Sequence, residues 1–514
     1  MLRLKNQLPW TAVLSLLLCI GDLEALTFQR ATSDPTKCSY GERGSLTATC
    51  VNANPSYFKA TQYRFDQLDE TLRCLNCTLT TLESGTFDLS GNQIKFLDLR
   101  NSSVQSVKPK AFVGLIFMEH LSLGNNEISN IFPGSFSGVK KIKTLDLDNN
   151  KINSLSDGGF TELINLEKLQ LQNNQIAFMP TKAFTGLNNL VELNLQNNRI
   201  SNVSAFSANL TNLKVLNLRE NLITSLMGQE FYNLTSLRLL DLAWNKITIP
   251  SISINPEPSG NSLVNLDLSH NQINKLNPDI FGTLQNLENL DLSFNNIAEV
   301  PQKTLQSLHN LRNLNISSNK LTVFQTGLYS GLPQLRVLNF SHNALEDVEI
   351  TGVFTLHSLH ALDLSYNNLN DLDYIALISR LPRLNYLQLQ NNVLPCDLEK
   401  EMEIFFSEDN FKYVLYGDNP GDVKCVNVEV KKRTFKEVAD SLVREASNGG
   451  SRTAEIWIFV LISIMMILIG TLFFMEYRTF QALRYKSGDG RSMSRVNLVV
   501  TDSENIPDND FLKE

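Results

Sequence analysis

The stretch Leu166-Glu-Lys-Leu169-Gln-Leu171-Gln-Asn-Asn174-Gln-Ile176 decides the fold. Its first half alternates apolar and polar residues, which predicts a short half-buried strand. The pattern recurs in register, and nine of the twelve steps between copies are 24 residues. Such a period predicts stacked rungs that form a parallel sheet with the leucines turned inward. The copies begin at Ile94, Met118, Ile142, Leu166, Leu190, Leu213, Leu237, Leu263, Leu287, Leu311, Leu335, Leu359 and Leu384.

Two further columns of residues follow the same register. An asparagine side chain both donates and accepts hydrogen bonds, so at a buried bend it can satisfy backbone groups of its own and the neighbouring turn. The copy at Ile94 has Ser102 in its place. A degenerate earlier copy is predicted to begin at Leu72, with Leu75 and Cys77 in core positions. The asparagine column is Asn126, Asn150, Asn174, Asn198, Asn221, Asn245, Asn271, Asn295, Asn319, Asn343, Asn367 and Asn392, and a packing column on the return side is Phe112, Phe136, Phe160, Phe184, Phe231 and Phe281.

Composition narrows the function classes. The 514 residues hold 45 Lys+Arg and 53 Asp+Glu, a net charge of −8 that argues against a nucleic-acid partner. The hydrophobic share of 42% is that of a globular chain. The sequence has no His-Glu-x-x-His, phosphate-binding loop or Gly-x-Ser-x-Gly motif. We therefore expect no catalytic residue, no metal site, no cofactor and no enzyme activity.

Two apolar segments predict the topology. A basic start followed by the apolar run Leu8–Ile20 is typical of a signal peptide, with an uncleaved anchor as the alternative. The uncharged run Ile456–Met475 is long enough to span a bilayer as a helix; the alternative is a buried core helix. Basic residues from Arg478 to Arg495 follow it and predict a cytosolic C-terminus. The expectation is a single-pass type I protein of the plasma membrane.

Cysteines and sequons favour the same compartment. Cys19 lies in the leader, which leaves an even number of cysteines for disulfides in an oxidising environment. Metal binding is the alternative for Cys74 and Cys77, but no second close pair completes a site. The predicted disulfide cysteines are Cys38, Cys50, Cys74, Cys77, Cys396 and Cys425, and the predicted glycosylation sites are Asn76, Asn101, Asn202, Asn209, Asn233, Asn315 and Asn339.

The array over roughly residues 38–425 resembles the leucine-rich repeat family. Its period is similar to the extracellular class of Toll-type receptor ectodomains and of adhesion proteins such as chaoptin and connectin. The resemblance implies an α/β-type repeat solenoid, a curved horseshoe with a concave parallel sheet and a disulfide cap at each end. It also places the first four paired cysteines in an N-terminal cap and implies a bond between Cys396 and Cys425. Leu398 stands where the family has a second cysteine.

These segments predict the domain order along the chain. It comprises a signal peptide (1–25), a cysteine cap with the degenerate repeat (26–93), about thirteen repeats (94–394), a C-terminal cap (395–438), a stalk (439–455), the transmembrane helix (456–475) and a cytoplasmic tail (476–514). The 39-residue tail is too short for a Toll-type signalling domain.

The outward strand positions carry the candidate ligand contacts. Charges of alternating sign stand near the strand starts, an interrupted acidic column lies on the strands, and an aromatic and imidazole column follows the strand ends. An ordinary solvated repeat face is the competing interpretation. Asn76, Asn315 and Asn339 each fall between the paired core positions of a strand, so they are predicted to point from the sheet face. Asn315 and Asn339 are on adjacent rungs, and their glycans would shield that third of the sheet. Ligand contacts are then expected from Met118 to about Asn295 or on a lateral edge, with the candidates Asp146, Asp241, Trp244, Asp267, His270, Asp291 and Phe294.

Three functions remain open at this point. The first is protein recognition or cell adhesion through the extracellular region, including contact with a second copy of the chain. The second is a ligand-binding receptor or co-receptor that signals through an associated chain. The third is a subunit that tethers a secreted enzyme. All three expect an extracellular protein or cell-surface ligand as partner.

Overall fold

The computed structural model describes most of the repeat array. It covers residues 38–40, 45–58, 68–88, 91–207, 210–252, 254, 263–329, 331–349, 356–407 and 411–415. The predicted signal peptide, Asn209, Cys425, the stalk, the transmembrane segment and the tail lie outside these residues. Among the described residues, no helix combines the length and the apolar character needed to cross a membrane. The chain divides into two compact units, residues 1–395 with 406–424 and residues 396–405 with 425–514, and the repeats belong to the first.

A sheet of 17 strands runs through the described part of the repeat array. The repeat strands pair in parallel and in register, so that Leu145, Leu169 and Leu193 are direct neighbours. These leucines are fully buried, as the alternation of the sequence predicts. The strands are Cys38–Tyr40, Thr47–Val51, Thr71–Leu75, Phe96–Asp98, His120–Ser122, Thr144–Asp146, Lys168–Gln170, Glu192–Asn194, Val215–Asn217, Leu239–Asp241, Asn265–Asp267, Asn289–Asp291, Asn313–Asn315, Val337–Asn339, Ala361–Asp363, Tyr386–Gln388 and Lys412–Val414.

The return side of the array is built mainly from turns, so the expected α/β-type solenoid is wrong in its helical part. The described residues hold only two α-helices, and the parallel-sheet solenoid is β-type. A short return segment cannot recover the cost of nucleating a helix and closes instead through tight turns, such as Leu187 N–H to the Phe184 carbonyl at 3.2 Å. The two α-helices are Tyr374–Arg380 and Cys396–Ser407, and the 3-10 helices are Pro55–Phe58, Ser204–Ser207 and Thr326–Tyr329. Two small sheets lie outside the main sheet. One pairs Thr81–Leu82 with Ser106–Val107, and the other pairs Val323–Gln325 with Asp347–Glu349.

The predicted phenylalanine column is confirmed as core packing. Its members are buried, and neighbouring rings stack along the array, with centroids 6.2 Å apart for Phe112 and Phe136. Phe58, Phe87 and Phe206 extend the column beyond the predicted set. They were missed because they lie in irregular copies; Phe206, for example, belongs to the 23-residue repeat.

The asparagine column is also confirmed, and its hydrogen bonds join each rung to the one before it. Asn174 donates to the carbonyls of Leu147 on the preceding rung at 3.0 Å and Leu171 on its own rung at 3.1 Å. Its side-chain oxygen accepts from the Ile152 N–H at 3.0 Å. All twelve asparagines reach back in this way. Ser102 is too short to do so, and its hydroxyl donates to the Arg100 carbonyl.

The register predicted for the degenerate copy is wrong by three residues. Leu72 pairs with Leu97, so Leu72 and Cys74 take the core positions, whereas Leu75 is 47% exposed. The pairs Leu72/Cys74 and Leu75/Cys77 are equally apolar, so hydrophobicity does not show which pair fills the core. Backbone pairing with the next strand shows that it is Leu72 and Cys74. Asn76 therefore lies in the bend after the strand, with a φ of 52°, and not on the sheet face where it was expected.

Disulfide bonds join four of the predicted cysteines. Cys38 is bonded to Cys50, and Cys74 is bonded to Cys77. Cys396 is also disulfide-bonded. Its predicted partner lies outside the described residues.

Candidate functional site

The predicted column after the strand ends forms two stacks of rings, which we call the aromatic ladder (Trp244, His270, Phe294, His342 and Tyr366). Trp244 and His270 lie 4.0 Å apart between ring centroids, and His270 and Phe294 lie 4.1 Å apart. The second stack joins His342 and Tyr366, also at 4.1 Å. Interplanar angles of 9–12° make the rings nearly parallel. Trp244 is 48% exposed and Phe294 is 45% exposed, so a partner can reach the ladder.

The backbone explains why the rings align. Each ladder residue has a φ between 51° and 55°, in the left-handed region that side chains other than glycine seldom adopt. The next rung holds this conformation in place: the N–H of Trp244 donates to the Ser269 carbonyl at 3.1 Å, and that of Phe294 donates to Ser317 at 3.0 Å. The repeated bend therefore projects successive side chains in the same direction.

An arginine lies at the end of the first stack. The Cζ atom of Arg219 lies 5.9 Å from the Trp244 ring centroid, within the range of a cation–π interaction. The guanidinium also forms an ion pair with Glu220, with 3.4 Å between Nε and the carboxylate. Arg219 was not among the predicted site residues. A comparison of neighbouring copies at its position, one rung before Trp244, could have found it.

Three of the predicted aspartates lie side by side on the strands next to the ladder and form what we call the carboxylate row. Asp241 and Asp267 are direct cross-strand neighbours, as are Asp267 and Asp291. Each carboxylate accepts a backbone N–H two residues further on, at 2.8–2.9 Å. Asn315 continues the row and donates its amide to Asp291 at 3.0 Å.

Burial dominates the electrostatics of the row. It raises the pKa of Asp241 and of Asp291 to about 6, and the nearby charge of Asp267 adds to both increases. The backbone hydrogen bonds oppose the increase because they favour the ionised form. At neutral pH Asp241 and Asp291 are therefore still mostly ionised, and they can attract a cationic group. Asp363, beside the second stack, has its pKa raised by burial in the same way.

Asp146 does not join the carboxylate row. It lies nearer the N-terminus beside Asp148, whose pKa is raised to about 6 by burial and by the charge of Asp146. This part of the sheet lines a groove of about 440 Å³ in which Phe96 and His120 stack at 4.5 Å. Phe96 and His120 were missed, although both are aromatic at the same outward position of consecutive copies. The predicted ligand candidates therefore separate into one cluster of six residues and one distant aspartate.

The charges near the strand starts largely pair with one another. Lys143 binds Glu119 at 2.7 Å on the neighbouring rung, and Arg312 binds Glu288 at 3.0 Å. Such exposed pairs contribute little stability, but they do reduce the local net charge. Within the described residues, no group of three or more His, Cys, Asp or Glu side chains is placed to hold a metal ion.

The two sequons predicted on the sheet face are neighbours, since Asn315 pairs with Asn339. The Asn315 amide nitrogen, where a glycan would attach, donates to Asp291, and Asn339 is only 8% exposed. A glycan at either position would have to displace these contacts. Asn76, Asn101 and Asn202 are exposed, and Asn233 is half-buried. Glycan attachment stays a prediction at all of these positions.

Comparison with known proteins identifies the repeat. The sequence model described as "Leucine rich repeat" matches residues 92–152, 140–200, 188–247, 261–321, 285–345, 309–369 and 333–394. No curated protein matches the whole sequence significantly.

Solved structures with similar folds come from several kinds of protein. A Leptospira interrogans leucine-rich repeat protein is 25% identical, with a TM-score of 0.56 over 71% of this chain and 89% of its own. The glycosylated Toll–Spatzle complex of Drosophila matches at 21% identity and a TM-score of 0.56, over 71% of this chain and 58% of that one. The LRIM1/APL1C complex matches at 17% and 0.50, over 87% of this chain and 82% of that one. At these identities the last two show similarity of fold alone.

Proposed function

Because this chain belongs to the leucine-rich repeat family, we propose that it recognises another protein through its sheet face. The proposed setting is the cell surface, with the repeats outside, the helix 456–475 in the membrane and the tail in the cytosol. The proposed role is recognition or adhesion between cells, without catalysis. The sequence features that support this setting are the leader, the apolar segment, the sequons and the paired cysteines.

The observation that carries the proposal is the exposed aromatic ladder beside the carboxylate row. Trp and other aromatic side chains supply a large share of the free energy at protein interfaces, and a few such residues usually dominate. The rings of Trp244 and Phe294 are fixed by stacking before a partner arrives, so binding immobilises few side chains. The adjacent carboxylates add charge selectivity.

An aggregation assay tests the proposal. Cells that express the full chain are mixed with cells that do not, and clustering is scored. Clustering of expressing cells only with each other supports contact between two copies of the chain. Clustering with a different cell type supports a separate ligand. A response that disappears when residues 476–514 are removed, at unchanged surface level, would favour a receptor role instead.

Two variants locate the contact. Trp244→Ala removes a 48% exposed member of the ladder and should reduce clustering. Phe178→Ala is the matched control, because Phe178 is a 63% exposed aromatic residue outside the ladder. Clustering that is lost in Phe178→Ala and kept in Trp244→Ala would contradict the proposed site.

A further inference from the structure

The aromatic ladder is interrupted at a single rung. The residue at the ladder position between Phe294 and His342 is Ser318, which has the same left-handed backbone, with a φ of 52°. Ser318 is half-buried, whereas Phe294 and His342 on either side of it are exposed. We call the space above Ser318, between these two rings, the Ser318 slot.

The ring spacing along the ladder indicates that the slot is wide enough for one flat group. Phe294 and His342 are two rungs apart, and the rings of adjacent rungs are spaced 4.0–4.1 Å. A planar group needs about 3.5–4 Å from each face that it contacts. Two ring spacings therefore accommodate one inserted planar group in contact with both walls.

The two walls present ring faces. His270 lies between Trp244 and Phe294, so both of its faces are covered by rings. Phe294 has His270 on one face and Ser318 on the other. His342 has Tyr366 on one face and Ser318 on the other. Among the described residues, the faces that point toward Ser318 meet no ring, so they can stack on a ligand.

The charges around the slot select a cation. Asp291 lies on the strand of the Phe294 rung, and Asp363 lies one rung beyond His342, on the strand that precedes Tyr366. The basic residues Arg312 and Arg336 precede their strands, whereas Ser318 follows its strand, so about 20 Å of extended chain separates Arg312 from the slot. Arg312 is also paired with Glu288. The slot thus combines two aromatic faces with a carboxylate on the Phe294 rung.

We propose that the Ser318 slot binds an arginine side chain of the protein partner, with the guanidinium stacked between Phe294 and His342 and its charge balanced by Asp291. A guanidinium is planar, stacks on aromatic faces and pairs with carboxylates, whereas an ammonium group is not flat. The molecule already uses this combination where Arg219 covers the outer face of Trp244. The proposal deepens the proposed function, because it names the chemistry that this surface recognises.

The variant Ser318→Phe tests the slot, because its phenylalanine ring would occupy the space between Phe294 and His342. Phenylalanine and tyrosine already occupy the same bend with the same φ at Phe294 and Tyr366, so the substitution should complete the ladder without unfolding the chain. Ser318→Ala is the matched control that leaves the slot open. Should Ser318→Phe unfold, Phe294→Leu removes one wall and serves the same purpose.

Binding is measured by saturation-transfer NMR with the purified full-length chain. The probes are the acetylated and amidated tripeptides Gly-X-Gly, where X is arginine, lysine, citrulline or phenylalanine. Citrulline keeps the planar shape without the charge, and lysine keeps the charge without the planar shape. We expect a saturation-transfer signal from the arginine peptide with the wild-type chain. The same peptide should bind Ser318→Phe roughly tenfold more weakly, whereas it should bind Ser318→Ala as tightly as the wild type.

The remaining outcomes overturn the proposal. Equal binding of the arginine peptide to the wild type and to Ser318→Phe would place its site elsewhere. Stronger binding of the phenylalanine peptide than of the arginine peptide would mean that the slot takes an aromatic ring. If no peptide gave a saturation-transfer signal, the slot would not be a binding site. Cell clustering that depends on Trp244 and is unaffected by Ser318→Phe would leave the proposed function standing while the slot fails.

Discussion

Substitution of one asparagine of the buried column should cost about 1–3 kcal/mol, and Asn245→Ala is a suitable case. The Asn245 amide donates to the Leu218 carbonyl at 3.0 Å, and its oxygen accepts from the Ile223 N–H at 3.0 Å. Both groups belong to the preceding rung. The Leu218 carbonyl keeps its bond from Asn221 at 3.0 Å, whereas the Ile223 N–H is left unpaired. An unpaired buried backbone group costs about 1–3 kcal/mol, so alanine should lower the free energy of unfolding by roughly that amount.

Two measurements check this expectation. Guanidinium denaturation gives the change in the free energy of unfolding, and hydrogen exchange followed by mass spectrometry reports the peptide that contains Ile223. Lys246→Ala is the control, because Lys246 is the exposed neighbour of Asn245. A loss below about 1 kcal/mol in Asn245→Ala, with protection at Ile223 retained, would refute the idea that these hydrogen bonds hold the rungs together.

Three further predictions concern other parts of the array. Burial raises the pKa of Asp291 from its usual 3.8 to about 6. The protonated Asp291 carboxyl therefore contributes its full stability below pH 3.8, and this contribution is lost as the pH rises through about 6. Asp291→Asn should flatten the pH dependence of the unfolding free energy between these two pH values. Trp244→Ala should weaken partner binding roughly tenfold or more in a direct binding titration, with thermal unfolding shifted much less, because the ring is half exposed. Gly186→Ala should lower the free energy of unfolding by about 1–3 kcal/mol in denaturant titrations, because Gly186 has a φ of +94° and an added Cβ would lie 2.5 Å from the Thr161 carbonyl oxygen. Gly331→Ala is the control: an added Cβ there meets ordinary contacts, so the free energy of unfolding should change little.

Features that repeat could be predicted from the sequence. The register of Leu169, the amide role of Asn174 and the packing of Phe112 each rest on many aligned copies, so an error in one copy does not alter the inference. Isolated features could not be predicted in this way. The copy around Leu72 offers two equally apolar registers, and hydrophobicity alone cannot choose between them.

The candidate site was predictable as a set of residues but not as a geometry. Alternation correctly placed Asp241 on an outward position, and Trp244 lies exposed in the predicted column after the strand ends. Alternation treats every outward position as solvated, however, and neighbours on strands about 4.8 Å away bury Asp291 enough to raise its pKa. The stacking of Trp244 on His270 depends on the left-handed bend that both share, which single-residue patterns do not reveal.

Each asparagine bonds to the rung before it, so the rungs are completed in the order in which the chain is synthesised. During synthesis, the newest rung emerges with a backbone N–H that is bonded only when the asparagine of the following rung arrives, such as Ile223 N–H with Asn245. Each rung is therefore completed about 24 residues after its own strand has left the ribosome. A nascent chain that stalls between copies carries one unfinished rung at its growing end, while the earlier rungs are already closed.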